Sequence, residues 1–387
     1  MSRVNNRRAL AVGALLFLAS FLAACGGVKN PEGWASPTVD GTTIYYFPAK
    51  NRISSLSLSA DGSASRTWNF PDKQKTDQKD LKFEAVYDDP AFDGGSLYFA
   101  SWDSRLFALS ARDGALKWAR KAKLDGGVVG GPALAGDTLV FGTTSGRLYA
   151  VKTSDGQPAP GWPADGADLK DAIWAPPVVK ADGAGGYTVY VATMAGTLQA
   201  YSVKDGSALW AVPFKTEGAI AELALLDDTH LFVPSLDKTV TIIDTADGHV
   251  VGKRFTTDDW VWSRAAFKDN VAYFGDFSGK VYALDITTGT MPPDWKAPYD
   301  AKAKIKSAPV IIDGVVVLAT REPVIHFIDA KSGRGLNTVP LKDSGTVRAG
   351  LTVEGGRPLI ATTQGKLFVA DPKAFKVEQL VIAGEKP

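Results

Sequence analysis

By type, the residues of this 387-residue chain that could do chemistry are few: three histidines, one cysteine and three pairs of adjacent aspartates. A hard cation such as Ca²⁺ takes roughly six to eight oxygen ligands. Asp88-Asp89, Asp227-Asp228 and Asp258-Asp259 could begin such a shell. Each pair lies beside a strand-like run, where adjacent acids are expected to decorate solvated turns, so no metal site is assigned. His230 sits beside a strand, His249 follows an Asp-Gly turn and His326 lies inside a strand. No second base or ligand stands at a useful spacing, so structural or surface roles are expected for all three. The single cysteine, Cys25, rules out an internal disulfide and any site built from several thiolates. No G-x-S-x-G elbow, Walker loop or H-E-x-x-H motif is present. No catalytic residue and no cofactor are therefore assigned. Lys plus Arg number 43 against 42 Asp plus Glu, a net charge of +1, which argues against a broad nucleic-acid surface. With 45% hydrophobic and 22% charged residues the chain has a globular composition.

The elements that must position any site come from self-comparison. Three segments, 136–156, 186–206 and 269–289, share one pattern: an apolar run, a short polar turn, a second apolar run and a turn closed by Gly. Taking the central-turn residue as a marker gives Asn51, Ser104, Gly146, Gly196, Lys238, Gly279, Pro323 and Gly365, at intervals of 53, 42, 50, 42, 41, 44 and 42. Most of these match the roughly 40–45 residues of a four-stranded propeller blade. The two long intervals carry polar insertions at 71–82 and 158–171. Asp-Gly recurs between the first and second strands (Asp40-Gly41, Asp93-Gly94, Asp182-Gly183, Asp313-Gly314). It recurs again between the third and fourth (Asp61-Gly62, Asp113-Gly114, Asp155-Gly156, Asp205-Gly206, Asp247-Gly248). That dipeptide favours tight type I′ hairpins, whose two central residues both need positive φ. Runs such as 189–192, 240–243 and 315–318 lack polar alternation, as strands covered on both faces do. No segment after the N-terminal region has an apolar stripe of helical period. The expected fold is all-β: a single, monomeric eight-bladed β-propeller of four-stranded blades over 34–387. Residues 376–382 read as the last outer strand, leaving the ring to close by packing between blades eight and one.

Arg3, Arg7 and Arg8 precede an uncharged, mostly apolar stretch at 9–24, the arrangement of a secretory signal. It ends Leu22-Ala23-Ala24-Cys25, followed by Gly26, and resembles the bacterial lipoprotein signal at all four positions. The resemblance implies a signal peptide over 1–24, acylation of Cys25 and a short tether over 25–33. Removing the signal removes three Arg and no acid, leaving 40 basic and 42 acidic residues. Gly rather than Asp after the Cys implies, in a host with two membranes, anchoring to the outer membrane facing the periplasm. In a single-membrane host it implies the outer face of that membrane.

Gly146-Arg147-Leu148-Tyr149-Ala150-Val151 and Gly279-Lys280-Val281-Tyr282-Ala283-Leu284-Asp285, with Thr288-Gly289 and Trp295 downstream, resemble the pyrroloquinoline-quinone (PQQ) type propeller repeat. The resemblance runs from about residue 34 to the end. Trp118, Trp162, Trp210 and Trp295 match the repeat's Trp and Trp68 matches it loosely; all are read as docking each blade to the next. The lipoprotein signal, the eight repeats and the length together resemble the BamB family of outer-membrane β-barrel assembly lipoproteins. That resemblance implies a non-catalytic scaffold whose partners are envelope proteins, including the barrel-assembly protein. The family's partner-binding loops find no convincing match here; Asp258-Asp259-Trp260 lies in a comparable region with different surroundings. The alternatives are a PQQ-repeat surface lipoprotein that binds or senses a small ligand, and a PQQ-dependent dehydrogenase. Many of those dehydrogenases place a vicinal Cys pair over the quinone, which this chain cannot form.

One constellation faces the ring axis. Alignment on Pro37, Pro132, Pro177 and Pro309 puts Trp34, Tyr87, Trp174, Trp262, Lys306 and Arg348 at the leading ends of the innermost strands, with Arg264 in the proline column of blade six. Trp, Tyr and Arg dominate binding hot spots, so these seven are the candidate partner- or ligand-binding residues of the channel mouth. The same aromatics could instead plug the channel. Lys73, Lys75, Lys79 and Lys82 in the first insertion could meet acidic partners or lipid head groups. Asp72, Asp77 and Asp80 dilute their field, so a solvated loop is expected there.

Overall fold

The computed structural model describes residues 33–49, 51–59, 62–120 and 124–384. The signal over 1–24, Cys25 and the tether up to residue 32 lie outside them. Among the described residues, thirty-two strands build eight antiparallel four-stranded sheets, spanning 38–70, 91–119, 133–168, 178–215, 224–256, 266–300, 310–340 and 352–379. In every sheet the strands pair in chain order. The sheets are the blades of one all-β propeller ring, and no helix occurs among the described residues. First strands of neighbouring blades approach one another, as Thr38–Asp40 does Thr352–Glu354, so they line the axis while fourth strands face outward.

Burial follows from this stacking. The second strands Ser96–Ser101 and Thr138–Gly142 are buried at every position because each blade lies between two others. The outer strand Val250–Thr256 is exposed at most of its positions. Eight apolar clusters form, one per blade junction. Phe99 and Phe107 of blade two meet Ile53 and Phe70 of blade one, and Leu359 and Leu367 of blade eight meet Ile44 and Leu56 of blade one.

The five repeat tryptophans all make the docking contact. The indole Nε1 of Trp68, Trp118, Trp162, Trp210 and Trp295 donates to the carbonyl of Ala111, Thr153, Val203, Thr245 and Ala330 in the following blade, at 2.7–3.2 Å. Each ring lies on the turn glycine of that blade; a Cβ on Gly248 would stand 2.7 Å from Trp210.

Turn chemistry explains most of the register. The marker residues Asn51, Ser104, Gly146, Gly196, Lys238, Gly279 and Gly365 all have φ between 64° and 90°. Pro323 cannot adopt positive φ; its turn keeps the closing bond from Thr320 N–H to Val324 O at 3.0 Å and adds one from Val324 N–H to Glu322 O at 2.6 Å. In the second Asp-Gly series, at Gly114, Gly156, Gly206 and Gly248, only the Gly of the pair has positive φ, and its N–H bonds the carbonyl four residues back instead of closing a two-residue hairpin, as from Gly114 to Ser110 and Gly248 to Asp244; Gly62 N–H bonds Ser59 O at 3.0 Å. The aspartate caps its own turn, Asp113 accepting from Ala115 N–H. The paired positive φ of a type I′ turn occurs in the first series at Asp313-Gly314.

The insertion at 71–82 is mostly exposed, but Gln78 is fully buried and donates to Gly114 O at 3.3 Å. The last outer strand is Lys376–Gln379, shorter than the sequence suggests. The residues after it cross to blade one, where Ile382 bridges Ala64 in parallel and Ala383 N–H bonds Ala64 O at 2.8 Å. Packing thus closes the ring with one bridge added; no blade borrows a whole strand.

Candidate functional site

The site lies where the chain enters the first strand of each blade. These strands begin at Thr38, Ala91, Ala133, Val178, Ala224, Ala266, Val310 and Thr352. Four residues before each stand Trp34, Tyr87, Val129, Trp174, Ile220, Trp262, Lys306 and Arg348. Two residues before stand Ser36, Asp89, Gly131, Pro176, Glu222, Arg264, Ala308 and Gly350. The proline column of blade six is therefore Ala265; Arg264 lies one residue earlier, in line with Ser36, Asp89 and Glu222. This shift matters, because it points Arg264 to the axis.

The structure brings Trp34, Tyr87, Trp262, Arg264, Lys306 and Arg348 into the wall of one axial pocket, and leaves Trp174 beside Trp262 at 6.3 Å between ring centroids. Trp34 packs on Tyr87 at 4.3 Å. The Lys306 ammonium lies 3.5 Å from the Trp34 ring centroid and 4.7 Å from that of Trp262, and the Arg348 guanidinium lies 5.7 Å from Trp34. Cations over indole faces gain from the ring quadrupole. Trp262 stacks on Phe277 with planes 4° apart, which fixes its face toward the axis.

Sequence reasoning passed over Glu222 and read Asp88-Asp89 as turn decoration. Both belong to the hub. Arg264 reaches across the ring to Asp88 at 3.6 Å and Asp89 at 3.5 Å, and to Glu222 at 3.6 Å. Asp89 also accepts from Ser36 N–H at 2.8 Å and Asp88 from Gly131 N–H at 2.9 Å. The readable signal was the shared column of Glu222, Arg264 and Asp89, visible once the strands are registered by their pairing.

Burial dominates the electrostatics. It pushes the Glu222 carboxyl up to about 8, against the pull of Arg264. It pushes Asp88 up to about 6, helped by Asp89 and opposed by Arg264. Burial, then the neighbouring Arg348, brings Lys306 down to about 7. Desolvation works against the charge of Arg264, but Glu222, Asp88 and Asp89 outweigh it and raise its pKa. Near neutral pH Glu222 is mostly protonated, and the Arg264 guanidinium faces Asp88 and Asp89.

The cavity left between these side chains is about 30 Å³. A single water needs roughly 10–15 Å³ on that measure, so there is room for a carboxylate-sized group. A tricyclic quinone does not fit. A hard cation fits no better, because the Arg264 guanidinium already stands among the three carboxylates.

The remaining candidates lie apart. His230 Nδ1 bonds Asp227 at 2.8 Å, and Asp258 N–H donates to Tyr282 Oη at 2.9 Å. His326 is buried, bonds Tyr299 Oη at 3.0 Å and is pushed by burial down to about 4. Asp244, Asp247 and His249 bring ligand atoms within 4.8 Å on an outer turn, where the carboxylates of Asp244 and Asp247 cap backbone N–H groups.

A family model described as outer membrane protein assembly factor BamB matches residues 78–250, 159–292 and 252–378. The curated outer membrane protein assembly factor BamB of Legionella pneumophila (strain Paris) is 24% identical over 181 residues. That match spans 44% of this chain and 45% of the relative, less than half the relative's length. The crystal structure of BamB from Moraxella catarrhalis superposes with a TM-score of 0.67 at 17% identity, covering 87% of this chain and 95% of that one. A europium-containing methanol dehydrogenase superposes at 0.62 and 14% identity, covering 87% and 82%. At such identities the two superpositions speak for the fold alone.

Proposed function

We propose a scaffold role from one premise: the chain belongs to the family described as outer membrane protein assembly factor BamB. In this reading residues 1–24 direct export and are removed, and Cys25 carries the lipid that anchors the chain to the outer membrane, facing the periplasm. The ring then presents its loops, outer strands and hub mouth to envelope proteins, among them the outer-membrane barrel-assembly protein. It binds and positions them without catalysis. The observation that carries this is the family match, which runs without a gap from the second blade through the eighth.

The experiment is mild crosslinking of the full chain in its own envelope, followed by recovery and identification of what is attached. The expected result is recovery of barrel-assembly components, reduced by Cys25→Ser. Recovery of none of them, with normal levels of outer-membrane barrel proteins when the chain is removed, overturns the role.

A further inference from the structure

The hub contains more hydrogen-bond donors than acceptors able to meet them. Among the described residues, no carboxylate or carbonyl oxygen lies at bonding distance from the Lys306 ammonium, which lies against the faces of Trp34 and Trp262. Arg348 Nε is buried without an acceptor. Ser263, 2% exposed and part of the pocket wall, has an unpartnered hydroxyl. Glu222 Oε2 makes no hydrogen bond, Arg264 standing off at 3.6 Å, and when protonated it is a further donor. The acids that could have served are committed: Asp88 and Asp89 each face Arg264 and each accept a backbone N–H.

Buried donors left unmet cost free energy, so the missing partner is a group rich in acceptor oxygens. The part of it that enters the hub must be small, because the cavity is about 30 Å³. It must not be cationic, because Lys306 and Arg348 are neighbours of like charge. A planar two-oxygen anion also matches the fork of an arginine. We propose that the axial mouth is a carboxylate-binding site, in which Lys306, Arg348 and Ser263 hold the carboxylate and Trp34, Tyr87 and Trp262 flank the apolar group that carries it. The carboxylate belongs either to a free organic acid or to the end of a partner chain; the chemistry is shared. The site rests on the reading of the mouth as a binding surface and does not depend on the role in barrel assembly.

The test uses the full chain in mild detergent at pH 6.5, with binding read by calorimetry and by indole emission. The probes are 3-phenylpropanoate and its neutral amide. The acid is expected to bind about tenfold or more tightly than the amide. Lys306→Met and Arg348→Gln are each expected to weaken the acid by about tenfold and leave the amide unchanged. Lys342→Met, an exposed control, is expected to change nothing. Equal binding of acid and amide, or no binding of either at millimolar concentration, overturns the proposal. Because that comparison needs only the unaltered chain, a misfolded variant does not spoil it. A neutral peptide with a free C-terminus, set against its C-terminal amide, separates the sources. Tighter binding of the peptide acid than of 3-phenylpropanoate assigns the site to a partner's chain end, and the reverse assigns it to a free acid.

Discussion

Arg264 shows how one residue can organise a hub and still be misjudged from sequence. A one-residue error in its column hid its contact with Asp88 and Asp89, which lie 175 or more positions away and across the ring. Spacing along the chain has no access to that distance; only closure of the ring creates it. Glu222 was overlooked for the same reason, and its burial makes a stability prediction. Its carboxyl ionises above about pH 4.5 in an unfolded chain but only above about 8 in the fold. The fold therefore loses stability through this group as pH rises from about 4.5 to 8. Glu222→Gln should be more stable than the parent by an amount that grows across that window and levels off above it; denaturant melts at several pH values check this. Lys306 predicts the pH profile of carboxylate binding. It is faced by Arg348, Glu222, Arg321, Trp34 and Trp262, and it loses its proton near pH 7, so affinity should fall as pH rises through 7. Lys306→Arg should flatten that profile in calorimetric titrations.

At the level of the blade, the tryptophan-on-glycine contact is the recurring joint. Trp210 buries its ring against blade five and donates to Thr245 O at 3.2 Å. Trp210→Ala should cost about 3–5 kcal/mol, the usual range for a buried large aromatic, measured by urea melts. Gly248→Ala strikes the same joint from the other side. Its φ is 80° and the new Cβ would meet the indole at 2.7 Å, so a loss of about 1–3 kcal/mol is expected. These joints were legible in the sequence, because a Trp and a turn glycine recur at fixed phase. Trp68 was only a loose match by spacing, yet it makes the same bond to Ala111 O at 3.0 Å. The geometry of the second Asp-Gly series was not legible. A dipeptide reports that a positive φ is needed, but not how many residues the turn contains. Pro323 marks the limit of the repeat: its blade keeps the hairpin without a positive φ at the marker, which no residue preference announces.

Across the whole ring, the seam between blades eight and one carries an apolar cluster as the other seven junctions do, and is reinforced by the short bridge from Ile382 to Ala64. Ending the chain after Gln379 removes that bridge together with buried Leu380 and Ile382. The melting temperature should fall, and hydrogen exchange should speed up first in blades one and eight, leaving blades four and five protected. Equal protection in all blades of the shortened chain would show that the bridge contributes nothing. Because every blade is woven only from its own contiguous stretch, the order in which blades are read out is not fixed by the architecture. A gene permuted to begin at blade five, with a linker across the old ends, should encode the same wheel.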